Sequence, residues 1–104
     1  MKLKFYSIFD TKAKMYNTPF LLMNDSVAIR TCTTMVNDPN SQLAMHPEDY
    51  VLYFLGEFDD SNGSIIGAES EHRVLVKLNA LVDPEQSKRI LELRDIKKTE
   101  ESAA

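Results

Sequence analysis

Residues 50–55 dictate what this chain has to build. The run Tyr50-Val51-Leu52-Tyr53-Phe54-Leu55 is its most apolar stretch. Apolar residues fall on both alternating faces, the pattern of a central strand covered on two sides. Six residues alone also suit a buried helix, but the aromatic content and the following Gly56 favour a strand. The rest of the chain must then supply partners and cover. With 104 residues, 43% of them hydrophobic, it has material for one small domain with a thin margin of stability, which a homodimer would supplement.

Partners for the central strand are readable on both sides. Residues 2–9 alternate, with Leu3, Phe5 and Phe9 on one face and Lys2, Lys4, Tyr6 and Ile8 on the other, so the second face reads as cationic and aromatic. Residues 10–14 form a polar connection. Pro19-Phe20-Leu21-Leu22-Met23 reads as a short strand able to pair antiparallel with the first, its proline in the tolerated first position. Asp59-Asp60-Ser61-Asn62-Gly63-Ser64 signals a hairpin turn with an Asn-Gly pair, and residues 65–68 return antiparallel. Residues 73–78 suit a strand, with a helical turn into 79–82 as the other reading.

Two helices complete the inventory. Asn24, Asp25 and Ser26 offer N-caps before Ala28, Cys32, Met35 and Val36, which recur on one helical stripe. Thr31, Thr33 and Thr34 lower the intrinsic propensity, so this helix depends on packing, and Asn37-Asp38-Pro39-Asn40 ends it. Asp83 as N-cap, Pro84 and Gln86 predict a C-terminal helix over 83–98 that docks on the sheet or a partner. Residues 99–104 are expected to form a flexible tail. The expected fold is α+β: a mainly antiparallel sheet of four to five strands over a core domain of residues 1–82, with one inserted helix and the C-terminal helix. A small OB-like β-barrel is the alternative.

Charge is distributed unevenly. The net −4 divides into +3 for residues 1–37, −8 for 38–72, where there is no Lys or Arg, and +1 for 73–104. Overall acidity opposes non-specific DNA binding, so any nucleic-acid contact must come from a local patch. The single Cys32 forms no internal disulfide and fits a reducing compartment. With no apolar run of membrane length and no signal-peptide core, cytoplasm without a membrane role is expected.

Each candidate site competes with a blander reading. The acidic hairpin places Asp60, Asn62, Gly63 and Glu69 at calcium-loop positions 3, 5, 6 and 12, but Phe58 stands where the first ligand belongs, and the flanks read as strands. A solvated turn fits better; no metal and no cofactor is expected. Cys32 lies on the buried stripe, and neither His46 nor His72 sits in a nucleophile signature, so no catalytic residue is assigned and no enzyme is expected. Phosphate-cradling glycine loops and paired zinc-ligand motifs are also lacking. What remains is a basic N-terminal third: Lys2, Lys4, Lys12, Lys14 and Arg30 to contact phosphates, with Tyr6 or Tyr16 to stack on bases, as single-stranded nucleic acid requires. A solvated edge strand with protective lysines has the same composition. Alternatively, the acidic stretch, with Glu57, Asp59 and Asp60 at its centre, binds a basic protein partner.

Five segments add information that composition lacks. They are residues 1–13, Tyr16-Asn17-Thr18-Pro19-Phe20, Val36-Asn37-Asp38-Pro39-Asn40, His46-Pro47-Glu48-Asp49-Tyr50 and Phe54-Leu55-Gly56-Glu57-Phe58-Asp59-Asp60. Their succession over residues 1–82 resembles the small nonstructural protein of gokushoviruses, in the Microviridae. The resemblance implies a non-enzymatic phage protein of the infected bacterial cytoplasm. It would act on single-stranded DNA during replication, the switch to single-stranded genome synthesis, or packaging. An adaptor that binds the replication initiator, a host replication protein or the procapsid is the other implied role. No family catalytic residue carries over.

Overall fold

The computed structural model describes residues 1–67, 69–86 and 88–92. Six antiparallel strands form one open sheet: β1 (Lys2–Asp10), β2 (Met15–Tyr16), β3 (Phe20–Leu22), β4 (Tyr50–Asp59), β5 (Ser64–Ile66) and β6 (Arg73–Lys77). The two long strands, β1 and β4, form its centre and pair from Lys2↔Asp59 to Asp10↔Tyr50. Short segments flank them in twos, β2 and β3 along β1, β5 and β6 along β4. The sheet is therefore α+β and open, not a closed barrel, and has six strands where four or five were expected. The uncounted strand is β2, too short at two residues to show a periodicity.

Helix α1 (Asp25–Val36) starts where the caps predict, with the Asn24 side chain accepting from the amide of Val27 at 2.9 Å. Its stripe Ala28, Cys32 and Val36 is buried against Tyr6, Ile8 and Leu52 of the sheet. Met35 lies at the edge of the stripe, partly buried. All three helix threonines return their hydroxyls to the carbonyl four residues back (Thr31 to Val27, Thr33 to Ile29, Thr34 to Arg30). This satisfies the hydroxyls without offsetting the β-branched penalty, so docking holds the helix. A short helix, α2 (Gln42–Met45), adds Leu43 to the core, and Leu78 fills it from a 3-10 turn over Leu78–Leu81. Residues 73–82 are thus strand and then helical turn. Beyond Asp83, whose carboxylate accepts the amide of Glu85, residues 84–86 and 88–92 are helical, with Ile90 buried. The far end of the expected C-terminal helix and the expected tail lie outside the described residues.

Asn37 joins the end of α1 to this last segment. Its amide nitrogen donates to the carbonyls of Thr33 (2.8 Å) and Leu81 (3.0 Å), and its oxygen accepts from the amide of Asp83 (2.7 Å).

Register and alternation sort the side chains into two faces. Tyr6, Ile8, Leu52 and Phe54 point toward α1. Leu3, Phe5, Phe9, Val51, Tyr53 and Phe58 point the other way, and among the described residues no α-helix packs there. The expectation that the central strand is covered on both sides holds in burial but not by helices: α1 covers one face, while on the other, where no described α-helix packs, Ser7 and Val51 are still buried and aromatic side chains are spread over the sheet.

The expected assignment of the β1 faces is also corrected. Lys2, Lys4, Tyr6 and Ile8 do share a face, but it is the core face. Tyr6 is 0% and Ile8 3% exposed. The two lysines stand at the start of the strand, Lys4 at the first turn of α1, where it faces Asp25 at 3.8 Å, and Lys2 past it.

The β4–β5 turn differs from a two-residue Asn-Gly hairpin. Asp59 pairs with Ser64, leaving four loop residues, and only Gly63 has a positive φ (76°). Asn62 instead accepts the amide of Ser64 with its side chain, and Asp59 accepts both amide and hydroxyl of Ser61. The turn is closed by its own polar groups.

Candidate nucleic-acid interface

The residues expected to form one basic surface are dispersed. Lys2 begins β1 and Lys12 lies in the turn past its other end, with a strand of about 26 Å at the usual rise between Lys2 and Asp10. Lys2 stands opposite Asp59 and Lys4 opposite Glu57 across the β1–β4 pair, which compensates both charges. Arg30 is exposed on α1, away from its buried stripe. Only Lys12 and Lys14 remain neighbours, both exposed in the β1–β2 turn. Asp10 shapes that turn by accepting the amides of Lys12 and Ala13, and Lys14 takes a left-handed conformation with φ 57°.

Tyr6 is removed from the stacking surface. Its hydroxyl donates to the carboxylate of Asp25 at 2.7 Å, and its ring packs against Phe20 and Phe54 with centroids 6.1 Å away in each case. Asp25, in the first turn of α1, also faces the Arg73 guanidinium at 3.4 Å and Lys4 Nζ at 3.8 Å. Arg73 lies 4.8 Å over the Phe54 ring. Burial, with the adjoining carboxylate, raises the Tyr6 pKa well above the usual phenol range, while the Tyr6 hydroxyl and the two cations hold Asp25 below its ordinary value. This cluster ties β1, α1 and β6 together and offers a base no ring face.

The acidic candidates are also engaged. The N-terminal ammonium donates to Asp60 at 2.6 Å and lies 4.0 Å from Asp59. Asp59 is held below its ordinary pKa chiefly by the Ser61 hydroxyl and amide, and Glu57 faces Lys4. The hairpin surface is therefore less strongly acidic than its composition.

On the face where no described α-helix packs, sequence reasoning singles out Tyr16 and misses its companions. Tyr16, brought beside Phe9 by the β1–β2 pair, lies 4.7 Å from the Phe9 ring and 5.4 Å from that of Tyr53, which is itself 5.9 Å from Phe9. His72 closes the group, 6.1 Å from Tyr16. Tyr16 is 42% exposed at the top of this layer, beside Val74 at 51%. Phe9 and Tyr53 were readable only through the β1–β4 register, which puts positions 7 and 53 opposite each other and so places both rings on one face. Lys77 joins the same face opposite Val51, and Lys12 and Lys14 border it where β1 turns into β2. The phenol of Tyr16 is pushed up by burial, then by Tyr53 and Glu69.

Other polar features lead elsewhere. A cleft of about 460 Å³ on the helix side has an apolar floor including Ile8 and Leu43 and a rim including Asp10, Asn17, Gln42 and Tyr50. Burial, then Asp10 and Asp49, push the Tyr50 phenol up, and the Asp10 carboxylate at the rim disfavours phosphate. His46, Glu48 and Asp49 bring one ligand atom each within 4.8 Å of one another, on a turn where the first two side chains are 53% and 61% exposed. Cys32 is buried in the core, its thiol raised by desolvation to about 11, whereas His72 packs on the opposite face of the sheet. No thiol–imidazole pair is assembled among the described residues.

None of the described helices is long and apolar enough to cross a membrane. No curated protein and no solved structure matches the chain. A family model does: the one described as Phage ORF5 protein, over residues 3–81.

Proposed function

We propose that this chain, which belongs to the Phage ORF5 protein family of phage accessory proteins, binds single-stranded DNA without catalysis, using the sheet face on which no described α-helix packs. The observation that carries the reading is the Phe9–Tyr16–Tyr53 group on an open sheet, with Lys12 and Lys14 at its border. Exposed rings accept unstacked bases of any sequence, and neighbouring cations follow the backbone. A duplex keeps its bases paired and stacked, so the same rings gain little from it. Phosphates are placed on the Lys12–Lys14 side, away from Glu69. Lys77 supplies a third cation on the face. Lys2, Lys4 and Arg30 contribute only long-range charge, and Tyr6 contributes through stability alone.

In biological terms, the reading is a gokushovirus-type nonstructural protein working in the infected bacterial cytoplasm where single-stranded genomes are made or packaged. Support comes from the family match, the succession of sequence segments and the aromatic face together. Fluorescence anisotropy with labelled single-stranded and duplex oligonucleotides at two salt concentrations tests it. Single strands should bind preferentially. Tyr16→Ser should weaken binding by about 1–3 kcal/mol, the usual contribution of one stacked base. Lys12→Gln with Lys14→Gln should flatten the salt dependence by about 1.4 in slope, two phosphates on a single strand. Binding that is absent at low salt, or indifferent to Tyr16, refutes the assignment.

A further inference from the structure

The same sheet face changes character toward the β4–β5 hairpin. α1 reaches only as far as the Asp25 cluster, and beyond Lys4 no described α-helix covers either side. On the helix-side face of this end stand Lys2, Lys4, Glu57 and Asp59, paired by register. The opposite face continues the alternation with Met1, Leu3, Phe5, Leu21, Met23, Phe58 and Ile65. Phe5 and Phe58 meet edge to face at 6.4 Å in its middle. Around them Met1 is 61%, Leu21 38%, Met23 57% and Ile65 68% exposed.

We infer that this hairpin end is a self-association surface whose occupant is the same face of a second copy of the chain. Charge decides between occupants. The patch carries no charged side chain, so it offers phosphate nothing and a charged peptide nothing to pair with. Two charges lie beside it, the N-terminal ammonium and the Asp60 carboxylate, and they pair with each other at 2.6 Å. Two copies meeting here leave Lys2, Lys4, Glu57 and Asp59 in water, because register puts those four on the other face.

Area gives the strength. Seven apolar side chains of this exposure present on the order of 500 Å² per copy, so two copies bury roughly 1,000 Å², the lower end for a specific interface. Interfaces of that size belong to the weak, reversible class, so the dimer should form only at micromolar or higher concentration. A two-fold axis across the strands, through the Phe5–Phe58 row, sets Leu21 beside Leu21 and Ile65 beside Ile65 of the partner subunit, an isologous contact. The Phe9–Tyr16–Tyr53 groups then lie at opposite ends of the pair, both open. The inference does not depend on the nucleic-acid reading.

Sedimentation-velocity and light-scattering measurements of the full chain across a concentration series test it, alongside the double variant Leu21→Thr/Ile65→Thr. Threonine preserves strand propensity while removing apolar surface, and both positions are exposed, so the fold is retained; circular dichroism verifies this. The wild type should pass from monomer to dimer over roughly 10–500 µM, and the double variant should shift that transition at least tenfold higher. A wild type that stays monomeric throughout overturns the proposal. So does a dimer that persists unchanged in the double variant but dissociates with Val74→Thr. Single-strand affinity of the double variant, measured where both proteins are monomeric, should equal that of the wild type; a loss there would assign the patch to nucleic acid instead.

Discussion

Tyr6 tests the architecture most directly, because one oxygen atom separates its structural role from the stacking role that its sequence position invites. Tyr6→Phe keeps the ring against Phe20 and Phe54 and deletes the donor to Asp25 at 2.7 Å. A hydrogen bond to a charged group contributes about 1.5–3 kcal/mol. Asp25 is 33% exposed, so water replaces part of the loss and the lower end applies, about 1.5 kcal/mol. For a domain of this size that is a fall in Tm of roughly 6–10 °C. The effect has a pH signature. The folded-state pKa of Asp25 lies below its ordinary value, so the carboxylate's stabilising contribution is complete above about pH 4, the unfolded value, and is lost as pH falls through the folded one. The gap between wild type and Tyr6→Phe should therefore be full at pH 7 and narrow steadily below pH 4. Urea melts of both proteins across that range, with Asp25→Asn closing a double-mutant cycle, measure it. Equal stability at pH 7 would refute the assigned hydrogen bond, and a gap indifferent to acid would refute the role of the carboxylate. Oligonucleotide affinity should not change, since the ring is buried.

Other outcomes follow from single contacts. Gly56→Ala places a Cβ 2.3 Å from the carbonyl oxygen of Ile66; backbone must move, so about 1–3 kcal/mol is lost and amide exchange accelerates at β5 first, readable by NMR. Asn37→Ala removes the junction between α1 and residues 81–83, costing about 2 kcal/mol by chemical denaturation, whereas Asn37→Asp keeps only the acceptor for Asp83 and should recover less than half of it. With its pKa at about 11 and its side chain buried, Cys32 should resist a thiol reagent at pH 8 in the native protein and react promptly in denaturant; rapid native labelling would contradict the packing of α1.

Much of the fold was legible because it is encoded locally. Asn24 caps α1, the stripe through Ala28, Cys32 and Val36 sets its inner face, and the alternation of residues 2–9 defines a strand whatever surrounds it. The orientation of that strand was not local. Both of its faces carry large apolar groups, Leu3, Phe5 and Phe9 against Tyr6 and Ile8, and of the lysines that seemed to label one face as outer, Lys4 reaches only the first turn of α1, at Asp25, and Lys2 lies past it. Which face is inner depends on where α1 docks, and that is decided by contacts with β4 and β6 far along the chain. The aromatic group was hidden for the same reason. Tyr16 is visible in the sequence, but its association with Phe9 and Tyr53 requires a two-residue strand and a register linking positions about 45 apart. The charged residues misled in the opposite sense, since cross-strand pairing cancels Lys2 and Lys4 against Asp59 and Glu57.

The long β1–β4 ladder also sets a schedule for synthesis. β1 is complete after ten residues, yet its main partner spans Tyr50–Asp59. At roughly 5–20 residues per second on the ribosome, the interval is about 2–10 s. During it, Lys4, Phe5 and Tyr6 can pair with β3, which pairs with no other residues of β1. Phe9 and Asp10 can pair with β2 along that same edge, so what stays unpaired while translation continues is the opposite edge of β1, the one that later meets β4. An unpaired edge of this kind is a template for pairing with another chain, so the interval before β4 emerges is when this topology is most exposed to aggregation.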